Sequence, residues 1–427
     1  MRVLYVSQYF PPEMGAPAAR VHELSRAWVE RGHEITVLTA FPHHPTGIIA
    51  DGYKGRRFMR ETIDGIDVVR TWVYATPNKG FAKRTLSYVS FMCSAVALGL
   101  PALRHKRFDA VIATSPQFFV AIAGWALAKA FRKPFVFEVR DLWPASIEAV
   151  GAVKNKRILR ALERIEMALY RQARLIVAVA DSTVAILSGR GVPPEKIAVV
   201  KNGVDLMKFL PGADSGEVRR EYGLEGRFVC SYIGTIGMAH ALEIILDAAE
   251  LTRSDSGIAY LIVGEGARRY ELESAARERS LSNVIFAGQQ PRERVREFLA
   301  ASDAVLVHLK KTALFEAVIP SKIFETMAAA RPIIMGVGGE AGQLVRDAEA
   351  GIPIEPENAA ELVAAIEKLK ADPQSAEAMG LRGRAFVEKH FDRNALAEKY
   401  LNLLAALMPA GAKRNTTGAV REARSVP

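Results

Sequence analysis

The sequence predicts an α/β protein of two doubly wound domains that face each other across a cleft. Three observations carry this reading. Apolar runs of strand length alternate with helical patterns in two separate series. A loop of turn formers, Pro211-Gly212-Ala213-Asp214-Ser215-Gly216, lies between the series. The length of 427 residues suits two or three domains at roughly 150 residues each.

Taken in order, the first series has strand runs at 3–9, 34–39, 110–113, 135–139, 175–179 and 197–200. Between them, 18–31 reads as a helix ended by Gly32 at the C′ position, and 156–171 as another. The second series has runs at 229–233, 259–263, 284–287, 305–307 and 333–335, each followed by a helical pattern. A last short strand at 352–354 precedes helical segments over about 375–408. The domains are therefore placed at 1–203 and 204–390. A terminal helix at 391–408 is expected to return toward the first domain, and 409–427 is expected to be a disordered basic tail. In open α/β sheets ligands bind beyond the carboxyl ends of the strands, so the loops there hold the candidates.

Composition narrows the class. Hydrophobic residues make up 50% and charged residues 24%, which excludes a disordered or collagen-like chain. Two distant cysteines, Cys93 and Cys230, offer neither a zinc cluster nor a secreted disulfide framework, so a reducing cytosol is expected. No charged n-region followed by an apolar h-region opens the chain, so no secretory leader is expected.

The net charge of +10 is concentrated in two places. One is the tail. The other is the span 79–107, where Lys79, Lys83, Arg84, Arg104, Lys106 and Arg107 face no acid. These cations bracket residues 85–103, a stretch without a charge. It reads as a buried helix, as an interfacial helix on an anionic membrane, or as a spanning helix of barely sufficient length. The pattern differs from a basic stripe with interleaved aromatics, so nucleic acid is not an expected partner.

Several loops hold groups suited to ligands. Tyr9-Phe10-Pro11-Pro12-Glu13-Met14-Gly15 follows the first strand, and Gly15 lets backbone approach a phosphate or sugar at a helix start. Gly234-Thr235-Ile236-Gly237-Met238 repeats that logic in the second domain. Neither is a dinucleotide fingerprint, and no P-loop lysine motif occurs. Pro320-Ser321-Lys322 reads as a helix start with Glu325 on the same face, able to meet a diphosphate and two ribose hydroxyls. A plain surface Lys–Glu pair is the alternative. Arg140-Asp141-Leu142-Trp143-Pro144 follows a buried strand, and there a ligand contact competes with an internal Arg140–Asp141 salt bridge. His43 and His44 lack a third ligand at metal spacing, and no Asp-x-Asp occurs, so no metal site is assigned.

These motifs resemble the family-4 retaining glycosyltransferases over nearly the whole chain, to about residue 408. The resemblance is carried by Tyr9-Phe10-Pro11-Pro12-Glu13 with Gly15, and by Asn202-Gly203-Val204-Asp205 with Phe209 and Pro211. It continues through Leu261-Ile262-Val263-Gly264-Glu265-Gly266, Phe286-Ala287-Gly288 and the 320–327 helix start. Asp141-Leu142-Trp143-Pro144, the 41–47 loop and Pro320-Ser321-Lys322 look like the WbuB-type subgroup, associated with transfer of N-acetylated amino sugars in surface-polysaccharide assembly.

The resemblance implies a GT-B fold of two Rossmann-like domains and metal-independent, cofactor-free transfer with retention. A nucleotide-diphosphate sugar, UDP-linked by expectation, would lie mainly on the C-terminal domain. Gly15 would face the transferring sugar and diphosphate. Gly234, Thr235, Gly237, Met238, Gly264, Ser321 and Lys322 would meet the diphosphate side. Ala287 and Gly288 would lie near the base, and Glu325 would bind the ribose. The acceptor, a saccharide or a lipid-linked sugar, would sit by Glu13, His43, His44 and Trp143, with Arg140 and Asp141 at the reacting end. Docking of 79–107 on an anionic membrane would make the protein cytoplasmic and peripheral on the inner face.

Three departures stand out. The family has two glutamates eight positions apart; here Ala317 stands at the first place and Glu316 one residue earlier, so Glu316 is the candidate through a local insertion. The usual Arg and Lys after the first strand of the second domain are replaced by Thr235 and neutral neighbours, which leaves Lys322 and helix N-termini to supply charge. Arg140 stands where the family often has His. Two alternatives remain beside a transferase: a nucleotide-sugar 2-epimerase of the same fold, and a non-catalytic assembly scaffold.

Overall fold

A computed structural model describes residues 1–13, 15–44, 46–76, 81–149, 153, 155–212 and 215–408. Lys79, most of the turn-former loop's Ala213-Asp214 step and the 409–427 tail lie outside the described residues.

The first half forms an eight-stranded sheet. Its strands are β1 (Arg2–Val6), β2 (Glu34–Ala40), β3 (Phe58–Ile63), β4 (Ile66–Thr71), β5 (Ala110–Thr114), β6 (Phe135–Val139), β7 (Leu175–Ala178) and β8 (Ile197–Val199). The spatial order is β3-β4-β2-β1-β5-β6-β7-β8, parallel except for the β3–β4 pair. The order reverses direction at β1 and β5, which is where an open α/β sheet leaves a crevice. The second half holds β9 (Phe228–Ile233), β10 (Ile258–Val263), β11 (Val284–Gly288), β12 (Ala304–His308), β13 (Ile333–Gly336) and β14 (Gly351–Pro353). These form an all-parallel sheet in the order β11-β10-β9-β12-β13-β14. Both sheets are covered by helices, so strands such as β5 and β10 read as unbroken apolar runs and are buried throughout.

Two sequence expectations need correction. The first strand ends at Val6, and the remaining residues to Tyr9 form the loop. The β3–β4 hairpin is absent from the predicted runs because Arg60, Glu61, Asp67 and Arg70 interrupt its apolar pattern. Its turn is Asp64-Gly65, both at positive φ (49° and 76°), the geometry a tight hairpin requires.

The apolar stretch is helical in two pieces, Phe81–Ala97 and Gly99–Leu103. One face is buried by Ser87, Ser90, Phe91, Ser94 and Ala95, spaced three and four apart. The serines bind the chain beyond β4: Ser90 Oγ accepts from the Tyr74 amide at 2.8 Å, and Ser94 Oγ donates to Thr71 Oγ1 at 3.1 Å. Leu86 is exposed on the longer piece, and Leu98 is exposed at the break between the two. The helix is thus a core element on one side and open on the other. Its window 82–103 is long and apolar enough to cross a membrane, with 39% of it buried.

The chain end ties the halves together. Helix Pro373–His390 packs on helix Lys322–Ala328, where Arg384 Nη1 donates to the Ala328 carbonyl at 2.7 Å. Helix Arg393–Ala406 then returns to the first sheet: Trp28 Nε1 donates to the Ala397 carbonyl at 2.9 Å, and Tyr400 meets Trp28 edge to face.

Candidate functional site

The carboxyl edges of the two sheets face each other. Ser182, just after β7, donates its hydroxyl to Glu340 (2.8 Å), with the Ala317 carbonyl 3.1 Å from the same oxygen, and its backbone amide also donates to Glu340 (2.8 Å), a residue just after β13. Glu340 also accepts from the Asp181 amide (3.1 Å) and pairs with Lys201 (2.8 Å). On the hinge side, Glu23 is buried and receives Arg292 at 2.7 Å, Lys208 at 3.4 Å and Arg393. Arg26 pairs with Asp205 at 3.0 Å. Between these ties lie the loops picked out by the sequence.

On the second domain's wall, Gly234 and Gly264 both take positive φ, at 145° and 142°, where other residues are strained. A Cβ at Gly264 would stand 1.9 Å from the Gly234 carbonyl oxygen, so the two strand ends pack backbone on backbone. Thr235 is fixed by Tyr232, whose hydroxyl donates to the Thr235 carbonyl at 2.7 Å. Gly237 donates to His240 Nδ1 at 3.3 Å, and Met238 is exposed. The Gly264 amide donates to the Gly288 carbonyl at 2.8 Å, which sets the Ala287-Gly288 end of β11 beside it.

Lys322 opens the short helix, and Ser321 is its N-cap residue without a side-chain cap bond. The Lys322 ammonium is closed off from solvent and has no hydrogen-bond partner. It lies 3.6 Å from the centre of the Tyr232 ring, a cation–π contact. A Cβ on Gly234 would stand 2.9 Å from Nζ, so this glycine leaves room for the ammonium. Burial pushes the Lys322 pKa down to about 7. The same crowding pushes His240 down to about 3. Glu325 is raised by burial, against the pull of Arg292, Lys322 and Lys208. No ion pair joins Lys322 to Glu325 among the described residues, which disfavours the surface-pair reading. Glu316 is exposed, and its neighbour across the loop is Gly338, where a Cβ would stand 3.5 Å from Glu316 Cγ.

On the first domain's wall, Gly15 is exposed at φ 125° before helix Ala16–Glu30. Glu13 is buried, and one oxygen accepts from the His43 and His44 amides at 2.8 and 2.9 Å. Burial pushes this carboxyl up to about 7, while the amides oppose the shift. His43 is buried and donates Nδ1–H to the Phe41 carbonyl at 2.8 Å. Burial lowers His44 to about 4, and its ring lies 4.9 Å from that of Tyr9. Trp143 is buried like Glu13 and His43. The residue is 7% exposed, and its ring stacks on Phe118 at 5.4 Å within the first domain's core cluster, so packing fixes its position. Asp141 is raised by burial and makes no ion pair with Arg140. Below them, Glu138 is held by Arg20 (3.0 Å), Tyr5 (2.9 Å) and Thr114 (2.8 Å); burial works against its charge, yet Arg20 keeps its pKa lowered.

Sequence reasoning missed Tyr232, Arg292, Lys208 and the Glu340–Ser182 tie. Their partners lie far away in the chain, and no local spacing marks them.

Two doubly wound α/β domains with mainly parallel sheets whose carboxyl edges face each other define a GT-B fold. Residues 15–203 match the family described as "Glycosyl transferase 4-like domain", and residues 214–386 match "Glycosyl transferases group 1". The chain belongs to the family-4 glycosyltransferases. A protein of Escherichia coli (strain K12) named "Putative colanic acid biosynthesis glycosyl transferase WcaI" is 25% identical over 413 residues, covering 94% of this chain and 99% of that one. Sucrose-phosphate synthase from Thermosynechococcus elongatus superposes with a TM-score of 0.75 at 19% identity, over 95% of this chain and 98% of that one. Anabaena Alr3699/HepE in complex with UDP-glucose gives 0.71 at 18% identity, over 95% and 100%.

Proposed function

We propose that this glycosyltransferase moves a sugar from a UDP-linked donor to a saccharide or lipid-linked acceptor in cell-surface polysaccharide synthesis. The observation that carries this is Lys322: a buried ammonium without a hydrogen-bond partner, set against the Gly234 loop and one turn before Glu325. The UDP-glucose complex of a protein with the same fold supports the choice of nucleotide, and the name of the WcaI relative supports the pathway class. The WbuB-type motifs support an N-acetylated amino sugar.

In this reading the diphosphate lies on the Gly234–Met238 loop, Gly264 and Ser321, with Lys322 as its counter-charge. Glu325 takes the ribose hydroxyls, and Ala287-Gly288 flank the base. Gly15 closes over the transferring sugar from the first domain, while Glu13, His43 and His44 shape the acceptor wall. Glu316, opposite Gly338, approaches the donor sugar. Transfer retains configuration on one face: the C1–oxygen bond to the diphosphate breaks, the acceptor oxygen bonds to C1, and its proton passes to the leaving diphosphate. Positioning and fixed charge then supply the rate, as in group transfer generally, without a metal. The basic and apolar 79–107 segment docks the cytoplasmic face of the membrane and brings a lipid-linked acceptor to the cleft.

Purified protein incubated with UDP-N-acetylglucosamine and a short-chain lipid-diphosphate sugar tests this. Product bearing one more sugar with the donor's anomeric configuration supports it. Donor that is only epimerised, or bound without transfer to a range of acceptors and donors, counts against it.

A further inference from the structure

Arg140 opens the loop after β6, at the carboxyl edge of the first sheet and two strands from the Gly15 loop. Its backbone is anchored: Ser115 Oγ accepts from the Arg140 amide at 2.7 Å and from the Asp141 amide at 3.2 Å. The side chain is not. Nε and Nη1 are closed off from solvent and have no hydrogen-bond partner. The buried carboxylate of Glu138 is hydrogen-bonded by Arg20, Tyr5 and Thr114, and Asp141, the next residue, makes no ion pair with the guanidinium. No ion pair reaches the Arg140 guanidinium among the described residues. Burial and the like charge of Arg20 lower its pKa, while the nearby charges of Glu138 and Asp141 oppose that shift.

The loop after β6 lies at the carboxyl edge of the first sheet, next to the loop after β7. Leu314, in the loop that leads to Lys322, packs against the core cluster containing Leu142 and Trp143. The next loop over, after β7, carries the Ser182 contact to Ala317. The first domain, at Arg140 Nε and Nη1, and the second, at Lys322 Nζ, each carry cationic nitrogens closed off from solvent without a hydrogen-bond partner. A buried cation with unmade hydrogen bonds destabilises the fold relative to a packed apolar side chain. The donor diphosphate accounts for Lys322. It leaves Arg140 unexplained.

We infer that Arg140 binds an anionic group, a phosphate or a carboxylate, carried by the acceptor close to its reacting hydroxyl. The inference rests on the transferase reading above for the donor's place. A guanidinium fork accepts either anion in a bidentate pair, and a neutral acceptor would leave the charge buried and unpaired. Two acceptor types supply such a group: a sugar on a lipid diphosphate, and a saccharide ending in a uronic acid.

The test is calorimetric titration of the full chain, with and without UDP. Three glycosides of one short prenyl alcohol serve as probes: one linked through a diphosphate, one a glucuronide, one a neutral glucoside. One anionic probe should bind about tenfold or more tighter than the glucoside, the gain expected from a charged hydrogen-bonded pair. Preference for the diphosphate identifies a lipid-linked acceptor, and preference for the glucuronide a uronic acid. In Arg140→Gln that preference should collapse, and Arg140→Lys should restore part of it, while UDP still binds. Arg140→Met should melt at a higher temperature than the parent, since it removes an unpaired charge. Three results overturn the inference: equal binding of all three probes by the parent, a preference that survives Arg140→Gln, or loss of UDP binding in Arg140→Gln. A parent that binds no UDP yet keeps the anionic preference contradicts the donor reading alone.

Discussion

At Lys322, burial, a missing partner and an aromatic ring act on one ammonium. Burial takes its pKa down to about 7, so near neutral pH the free protein holds this proton loosely. A bound diphosphate restores the charge, and binding above pH 7 is then coupled to proton uptake. UDP affinity should fall between pH 7.5 and 9, by up to about tenfold per unit, when followed by calorimetry. Flat affinity across that range contradicts the assignment. The stability sign is the reverse of a salt-bridged lysine. The folded pKa lies below the unfolded one, so the cost is fully present below about pH 7 and is relieved as pH rises toward 10.5. Lys322→Met should therefore raise Tm more at pH 6 than at pH 10. Lys322→Ala should keep its fold and lose most turnover, on the order of a hundredfold as for other preorganised charges. Lys322 and Glu325 were legible because a Pro-Ser helix start announces their face. Tyr232 was not, since nothing in a strand sequence says which helix will stand over an aromatic ring.

The two-piece helix from Phe81 to Leu103 shows what periodicity can and cannot tell. Its lack of charge hid a division that the structure makes plain: serines and Phe91 against the core, Leu86 and Leu98 outward. The buried reading holds for the serine and Phe91 side, and the proposed membrane contact would fall to exposed residues such as Leu86. With Lys83 and Arg84 changed to Glu, co-sedimentation with anionic phosphatidylglycerol vesicles should fall sharply, at about 1 kcal/mol per basic residue near the surface. Equal sedimentation of parent and variant removes the membrane role. The β3–β4 hairpin failed to show in the strand runs because its charged residues pair with one another: Arg60 with Asp67, and Arg70 with Glu61. Its Asp64-Gly65 turn was the signal that reveals it.

Across the whole molecule, the two doubly wound halves were legible from strand runs alone, because parallel sheets covered on both faces write themselves as apolar runs. How the halves meet was not legible. The Glu340–Ser182 contacts span 158 residues, and the Glu23–Arg292 pair spans 269. Glu340 accepts from two backbone amides and a hydroxyl and pairs with Lys201, so it is the main polar tie across the cleft mouth. Glu340→Ala should open the cleft: the radius of gyration from solution scattering should rise and KM for donor should increase, with little change in Tm. An unchanged radius and KM would show that the tie does not set the domain arrangement.

The central claim is that the second domain grips a nucleoside diphosphate through Lys322. Thermal melts of the parent and of Lys322→Ala with UDP, GDP, TDP and ADP test it most directly, because a ligand bound only by the folded state raises Tm by mass action. UDP should raise the parent's Tm by several degrees, more than the other three, and should barely move the variant. No shift with any of the four nucleotides, or equal shifts in parent and variant, would contradict the account.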